Sequence, residues 1–264
     1  FTVNGGTFTG GSGTVTTSGP MLVSSGTFTG GAGNITVSNT FTLSGGTFTS
    51  TSGTLTIGRS AASETVLTVS GGTFTHNSGT VKFISYVGSS VAGTYTVDVS
   101  TTLTLYNVSV YTSNGVNDPE GGNDTITTAA GDTIVIANDY TQTNGILGGT
   151  WEVEGNVIIG AGADGGTGTL TYTAAGAHTY TYTAGGTGPY LRVNNASAAI
   201  SANMGTTALT VSLFSLLSGT FTAPSGTMTI GRSTTTSETI FTVSGGTFTH
   251  NSGTVKFIPH GGSS

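Results

Sequence analysis

Residues 67–84, LTVSGGTFTHNSGTVKFI, return almost unchanged as residues 241–258, FTVSGGTFTHNSGTVKFI. Seventeen of the eighteen positions are identical at an offset of 174 residues. A shorter period lies beneath the long one. The first sixty residues divide into three lines of twenty: FTVNGGTFTGGSGTVTTSGP, MLVSSGTFTGGAGNITVSNT and FTLSGGTFTSTSGTLTIGRS. Phe8, Phe28 and Phe48 fall in register, as do Phe1, Met21 and Phe41, and Val15, Ile35 and Leu55. A fixed period near twenty, made of short runs split by glycine, is the signature of a solenoid.

Each line holds three alternating runs. Phe1 and Val3 share one face with Thr2 on the other, Phe8 is flanked by Thr7 and Thr9, and Val15 by Thr14 and Thr16. Alternation at period two predicts half-buried strands. The Gly-Gly and Ser-Gly pairs between runs predict corners, where a positive φ costs glycine nothing. Gly13, Gly33, Gly53, Gly79, Gly226 and Gly253 occupy the same corner in six lines. Three strands and three corners close one coil, so the chain is predicted to be all-β: a right-handed parallel β-helix of roughly 20-residue coils, about twelve in number. One coil buries too little apolar surface to offset the entropy of ordering it, so neighbouring coils must stabilise one another.

The predicted organisation is one continuous solenoid over residues 1–264. Coils are regular over 1–84, longer and less regular over 85–213, and regular again over 214–264, which repeat 41–90. GRSAASETV (58–66) and GRSTTTSETI (231–240) read as loops inserted between coils, and 113–124 and 160–168 as side loops. The core ladder is predicted to be Phe8, Phe28, Phe48, Phe74, Phe221 and Phe248.

Composition narrows the function. Charged residues are 6% of the chain, against about 25% in an ordinary soluble domain. Five basic residues and a net charge of −6 oppose a phosphate-neutralising surface, so no nucleic acid is expected. No cysteine is present, which removes disulfides and thiolate chemistry. No apolar run reaches the roughly 18 residues of a membrane helix. The chain opens on Phe1 without a signal-peptide pattern, as expected of a processed product or a piece of something longer.

The phrases SGTFTAPSGTMTIG, GGTFTHNSGTVKF and GGTWEVEGNVIIGAGADGGTGTLTYT resemble the tandem modules of very long secreted bacterial surface proteins of the adhesin-like or autotransporter-like kind. The resemblance covers most of 41–264, and 1–40 only through the coil pattern. It implies export, surface display and a β-solenoid, and it brings no catalytic residues.

Polar residues that recur belong to the coil rather than to a single site. His76 matches His250, Lys82 matches Lys256, Arg59 matches Arg232 and Glu64 matches Glu238. They read as solvated faces, with a repeated ligand contact as the alternative. Asp118, Glu120, Asp124 and Asp132 lie in the unique stretch NGVNDPEGGNDTITTAAGDTI, which reads as a surface loop. Oxygen-rich loops with glycine also suit calcium, the one cofactor these residues suggest. Glu152 and Glu154 alternate with Trp151 and Val153, and paired carboxylates can hydrolyse glycosides. With Arg192 as the one unduplicated arginine, the basic groove of a polysaccharide lyase is missing, and no enzyme is expected. Thr7/Thr9, Thr27/Thr29, Thr47/Thr49 and Thr73/Thr75 form outward ranks that resemble ice-binding faces. Asn34, Asn107, Asn123 and Asn195 each open a glycosylation sequon.

These features predict an extracellular structural protein, a β-solenoid segment of a surface filament, sheath or adhesin stalk. Its predicted partner is itself, stacked head to tail, or its own continuation in a longer parent, with surface glycans as a further possibility. FTVNGGTFTG at one end and the copied coil at the other show no polar cap, which motivates that expectation. The alternatives are a carbohydrate-binding or polysaccharide-cleaving β-helix and, second, an ice-binding Thr-x-Thr face.

Overall fold

The computed structural model describes residues 1–59, 63–85, 92–112, 124–202, 208–232 and 238–258. The described strands belong to parallel β-solenoid coils, with no helix among them. The coils form two compact units, Phe1–Ala137 and Asn138–Ser264, with about ten turns between them. That agrees closely with the predicted twelve three-strand coils.

In the first unit, Thr2–Thr9, Met21–Thr29, Phe41–Thr49 and Ser63–Thr75 stack as one parallel ladder. Val15–Thr17, Ile35–Val37, Thr54–Arg59 and Thr80–Ser85 stack as another. The ladders join like to like. Thr27 pairs Thr47 and Phe28 pairs Phe48 in one step, and Thr47 pairs Thr73 and Phe48 pairs Phe74 in the next.

The first two runs of each line are one strand rather than two. Met21–Thr29 is continuous, yet Met21, Val23 and Phe28 are all buried. Val23 and Phe28 lie five residues apart, so strict alternation would send them to opposite faces. The register shifts between Val3 and Thr7, and again between Leu43 and Thr47. Gly6, Gly26, Gly46 and Gly72 sit at these bulges with φ between 65° and 74°. The left-handed glycine breaks the alternation in each coil and returns the phenylalanine to the lumen.

The six aligned corner glycines have a different cause from the one predicted. None of Gly13, Gly33, Gly53, Gly79, Gly226 and Gly253 has a positive φ. Gly33, Gly53, Gly79 and Gly253 are small because a neighbouring coil nearly touches them. A Cβ on Gly33 would lie 1.9 Å from the Gly13 carbonyl oxygen, and one on Gly79 would lie 2.1 Å from that of Thr51.

In the second unit, Tyr140–Leu147, Val157–Ala163 and Gly176–Tyr182 stack in parallel, as do Thr150–Val153, Thr169–Tyr172 and Tyr190–Ala202. Residues 160–163, predicted to open a side loop, continue the strand Val157–Ala163, and Asp164 bridges to Thr187. Glycine at 160 and 162 weakens the strand signal, but these positions need no side chain. A Cβ there would meet the Thr143 Cα at 3.0 Å and the Asn144 side-chain nitrogen at 2.8 Å. Phe214–Thr222 then pairs with Phe241–Val243 and Thr247–Thr249, and Thr227–Ile230 pairs with Thr254–Phe257.

The lumen holds stacked rings. Phe8, Phe28, Phe48 and Phe74 follow one another with centroids 4.8, 5.0 and 5.3 Å apart. Phe28 and Phe48 are fully buried, whereas Phe8 and Phe74 are half-buried. Phe221 is buried and stacks on half-buried Phe248 at 5.9 Å. In the second unit the lumen also takes polar rings. Tyr140 donates to Gln142 Oε1, Gln142 Nε2 to the Gly145 carbonyl and Trp151 Nε1 to the Gly148 carbonyl. Every one of these is a short-range bond that satisfies a buried polar atom.

Candidate functional site

The duplicated stretch builds a turn. In HNSG the His76 ring accepts a hydrogen bond at Nδ1 from the Ser78 N–H, at 3.0 Å, and His250 accepts the same bond from Ser252, at 3.1 Å. The Gly79 N–H closes back on the His76 carbonyl, as Gly253 does on His250. Asn77, Ser78, Asn251 and Ser252 have φ between 51° and 60°, the left-handed region that asparagine tolerates. Asn77 also donates to the Ser50 carbonyl of the coil beneath. Histidine and asparagine therefore recur as turn residues.

Arg232 holds Glu238 through two hydrogen bonds, Nε to Oε1 at 2.9 Å and a second nitrogen to Oε2 at 2.7 Å, clamping both ends of the inserted segment. The side chain of Arg59, its counterpart, lies outside the described residues, while Glu64 is half-buried. Lys82 alternates with buried Val81 and Phe83, points outward and sets its ammonium 5.7 Å from the Tyr111 ring centroid. Lys256 is exposed.

Asp118 and Glu120 lie outside the described residues, so their place beside Asp124 and Asp132 is not described. Asp124 and Asp132 are themselves buried and serve the ladder. Asp124 Oδ1 accepts the Gly93 N–H at 2.6 Å, and Asp132 Oδ2 accepts the Val99 N–H at 2.7 Å. They flank the strand Thr125–Thr128, which pairs with Thr94–Val99 in the coil before. Among the described residues no group of three or more His, Asp or Glu could hold a metal ion.

Asp124 also acts on a tyrosine. Burial pushes the Tyr95 phenol up to about 12, and the charge of Asp124 and its hydrogen bond to the phenol add to the effect. An unfolded tyrosine ionises near pH 10, so the neutral phenol's contribution is intact below about pH 10 and is lost as pH rises through about 12. Tyr95→Phe should flatten the loss of stability across that interval, read by denaturant titration at stepped alkaline pH. An unchanged slope would separate Tyr95 from the alkaline transition.

Glu152 and Glu154 flank Val153 on the outward side, Glu152 half-buried and Glu154 exposed, while Trp151 and Val153 are fully buried. Arg192 aligns with Thr171 on one side and Ser215 on the other, and Thr171 aligns with Glu152. One threonine rung thus stands between Glu152 and Arg192. Asn34 is exposed and its side-chain oxygen accepts the Thr54 N–H. Asn107 is half-buried within the strand Asn107–Tyr111. Asn195 donates from Nδ2 to the Thr173 carbonyl, and Asn123 lies outside the described residues.

The feature that sequence reasoning missed is a ledge in the first unit. Val69 pairs Val99, and Thr80 pairs Asn107 one face later. The lower coil spends ten residues between those points, 70–79, and the upper coil only seven, 100–106. The upper coil cuts the corner, and among the described residues Thr73, Phe74 and Thr75 lack the cover that they themselves give Thr47, Phe48 and Thr49. A cleft of about 530 Å³ results, floored by Val69, Phe74, Val99 and Leu103. Thr73, Thr75, Ser100, Thr102 and Thr104 line its rim and are exposed. His76 closes one end, its ring stacked 5.4 Å from that of Tyr106.

No family model, curated protein or solved structure matches this chain.

The threonine ranks are in register as well. Thr7, Thr27, Thr47 and Thr73 align rung by rung, as do Thr9, Thr29, Thr49 and Thr75, flanking the phenylalanine stack. Thr7, Thr9, Thr73 and Thr75 are exposed, and the middle rungs are half-buried by their neighbours above and below.

Proposed function

We propose that the chain is a non-catalytic structural module, a β-solenoid segment of an extracellular filament, sheath or adhesin stalk. The observation that supports this is the like-on-like ladder. Thr27 on Thr47 on Thr73, and Phe28 on Phe48 on Phe74, repeat one contact from coil to coil. Such a body lengthens by adding coils without any new chemistry. Among the described residues His76, His250 and Asn77 are engaged in turns and Arg232 in an ion pair, which fits a scaffold better than a reaction centre.

Self-stacking is the form of assembly that suits this geometry. A coil of one chain seated on a coil of another would repeat the parallel pairing already present inside each unit. Sedimentation velocity and negative-stain microscopy across a concentration series form the test. Filaments or end-joined oligomers are expected, with strands perpendicular to the long axis and a spacing of about 4.8 Å along it by fibre diffraction. A monomer at every concentration would remove self-stacking. Antibodies against the chain should label intact source cells without permeabilisation, and labelling only after lysis would overturn surface display. Turnover of a polysaccharide that Glu152→Gln abolishes would overturn the non-catalytic role.

A further inference from the structure

We propose that the ledge above Phe74 binds a short neutral saccharide. The ledge is independent of filament assembly. Residues 100–106 are three residues fewer than 70–79, which among the described residues uncovers one face of the last ring in the stack. Phe74 rests on Phe48 at 5.3 Å on one side and lines the cleft on the other. A solenoid that only needed to close its core would cover this ring, as it covers Phe28 and Phe48.

The chemistry of the walls selects the ligand. Among the described residues no charged side chain lines the cleft, so neither a phosphate nor a uronic acid finds a counter-charge there. The rim consists of hydroxyls. Those of Thr73, Thr75, Thr102 and Thr104 can each donate and accept, while that of Ser100 donates to the Val69 carbonyl and keeps its acceptor capacity. A sugar presents the same dual groups at its edge and a face of C–H bonds that suits a flat aromatic floor. His76 adds a fixed donor. Its Nδ1 accepts the Ser78 N–H, which places the ring proton on Nε2, and the stack on Tyr106 holds the ring in place. A cleft of about 530 Å³ lies within the usual range for small-ligand sites, about 300–1,000 Å³. The Val99 and Leu103 side chains back the apolar floor.

The experiment titrates the full chain with maltohexaose, cellohexaose and mannohexaose, and with hexagalacturonate as the charged comparison. Amide shifts of residues 73–76 and 100–104 by nuclear magnetic resonance give the readout. At least one neutral probe should shift these amides saturably, and hexagalacturonate should not. Phe74→Ala should weaken binding at least about tenfold, which is about 1.4 kcal/mol. Because that variant also shortens the ring stack, Thr104→Val at the exposed rim is the second test, and it should weaken binding several-fold with an unchanged circular dichroism spectrum. Phe74→Trp should retain binding. Absence of shifts with every neutral probe would overturn the proposal, as would equal binding of the charged probe or unchanged affinity in both weakening variants. A Thr-Phe-Thr peptide that shifts the same amides while the sugars do not would assign the ledge to strand addition and equally overturn it.

Discussion

Phe48→Ala is expected to lower the unfolding free energy by about 3–5 kcal/mol, the usual cost of removing a buried phenylalanine. Phe48 has no exposed surface. Its ring lies between those of Phe28 at 5.0 Å and Phe74 at 5.3 Å, with Phe41 at 4.6 Å inside the same coil. Truncation would leave a void bounded by rings that belong to three coils. The backbone on each side is tied into parallel ladders, so collapse into the void would have to break pairing. Phe74→Ala should cost less, because half-buried Phe74 already faces the cleft on one side. The measurement is denaturant unfolding followed by far-ultraviolet circular dichroism. Fluorescence is the wrong probe, since the single tryptophan, Trp151, lies in the other unit. A loss below about 1 kcal/mol would show that Phe48 does not carry the packing its burial indicates.

Gly33→Ala should be destabilising by about 1–3 kcal/mol or more, through overpacking. The added Cβ would lie 1.9 Å from the Gly13 carbonyl oxygen and 2.6 Å from its carbon. Those atoms are backbone, and no side-chain rotation relieves the clash. Separation of the coils would strain the hydrogen bonds beside it, where the Ala32 and Gly33 N–H groups both donate to the Gly11 carbonyl. Gly13→Ala is the matched control. Gly13 occupies the same corner, its φ is not in the left-handed region and a Cβ there meets nothing within 4 Å. It should be neutral, or stabilising by about 0.4–1 kcal/mol through the unfolded state. Equal effects of the two substitutions would mean that the corner selects glycine for conformation rather than for room. Both variants can be read in the same unfolding assay, and their difference cancels any general helpfulness of alanine.

Much of the architecture follows from local pattern. Alternation of Phe, Val and Ile with Thr marks the strands, and the twenty-residue period stacks them, because a strand's two faces are set by its own residues. The phenylalanine stack was legible for the same reason: Phe8, Phe28, Phe48 and Phe74 recur at one place in the line. Most of what local pattern left out depends on a partner in the coil above or below. The bulge at Gly26 and Gly46 reverses the parity of a strand, so two runs that look separate are one. Gly33 and Gly79 are glycine because of a carbonyl in another coil. Asp124 and Asp132 look like loop carboxylates but are buried acceptors for Gly93 and Val99. His76 and Asn77 look like surface polarity but form a left-handed turn. The ledge is the clearest case. Its cause, three residues fewer in one coil than in the coil below, is written in the sequence, but a length difference has meaning only once pairing aligns Val69 with Val99 and Thr80 with Asn107. Sequence by itself determined the strands, their period and the identity of the core ring. Tertiary structure decided which of those rings is left uncovered, because covering is a property of the neighbouring coil and not of the residue.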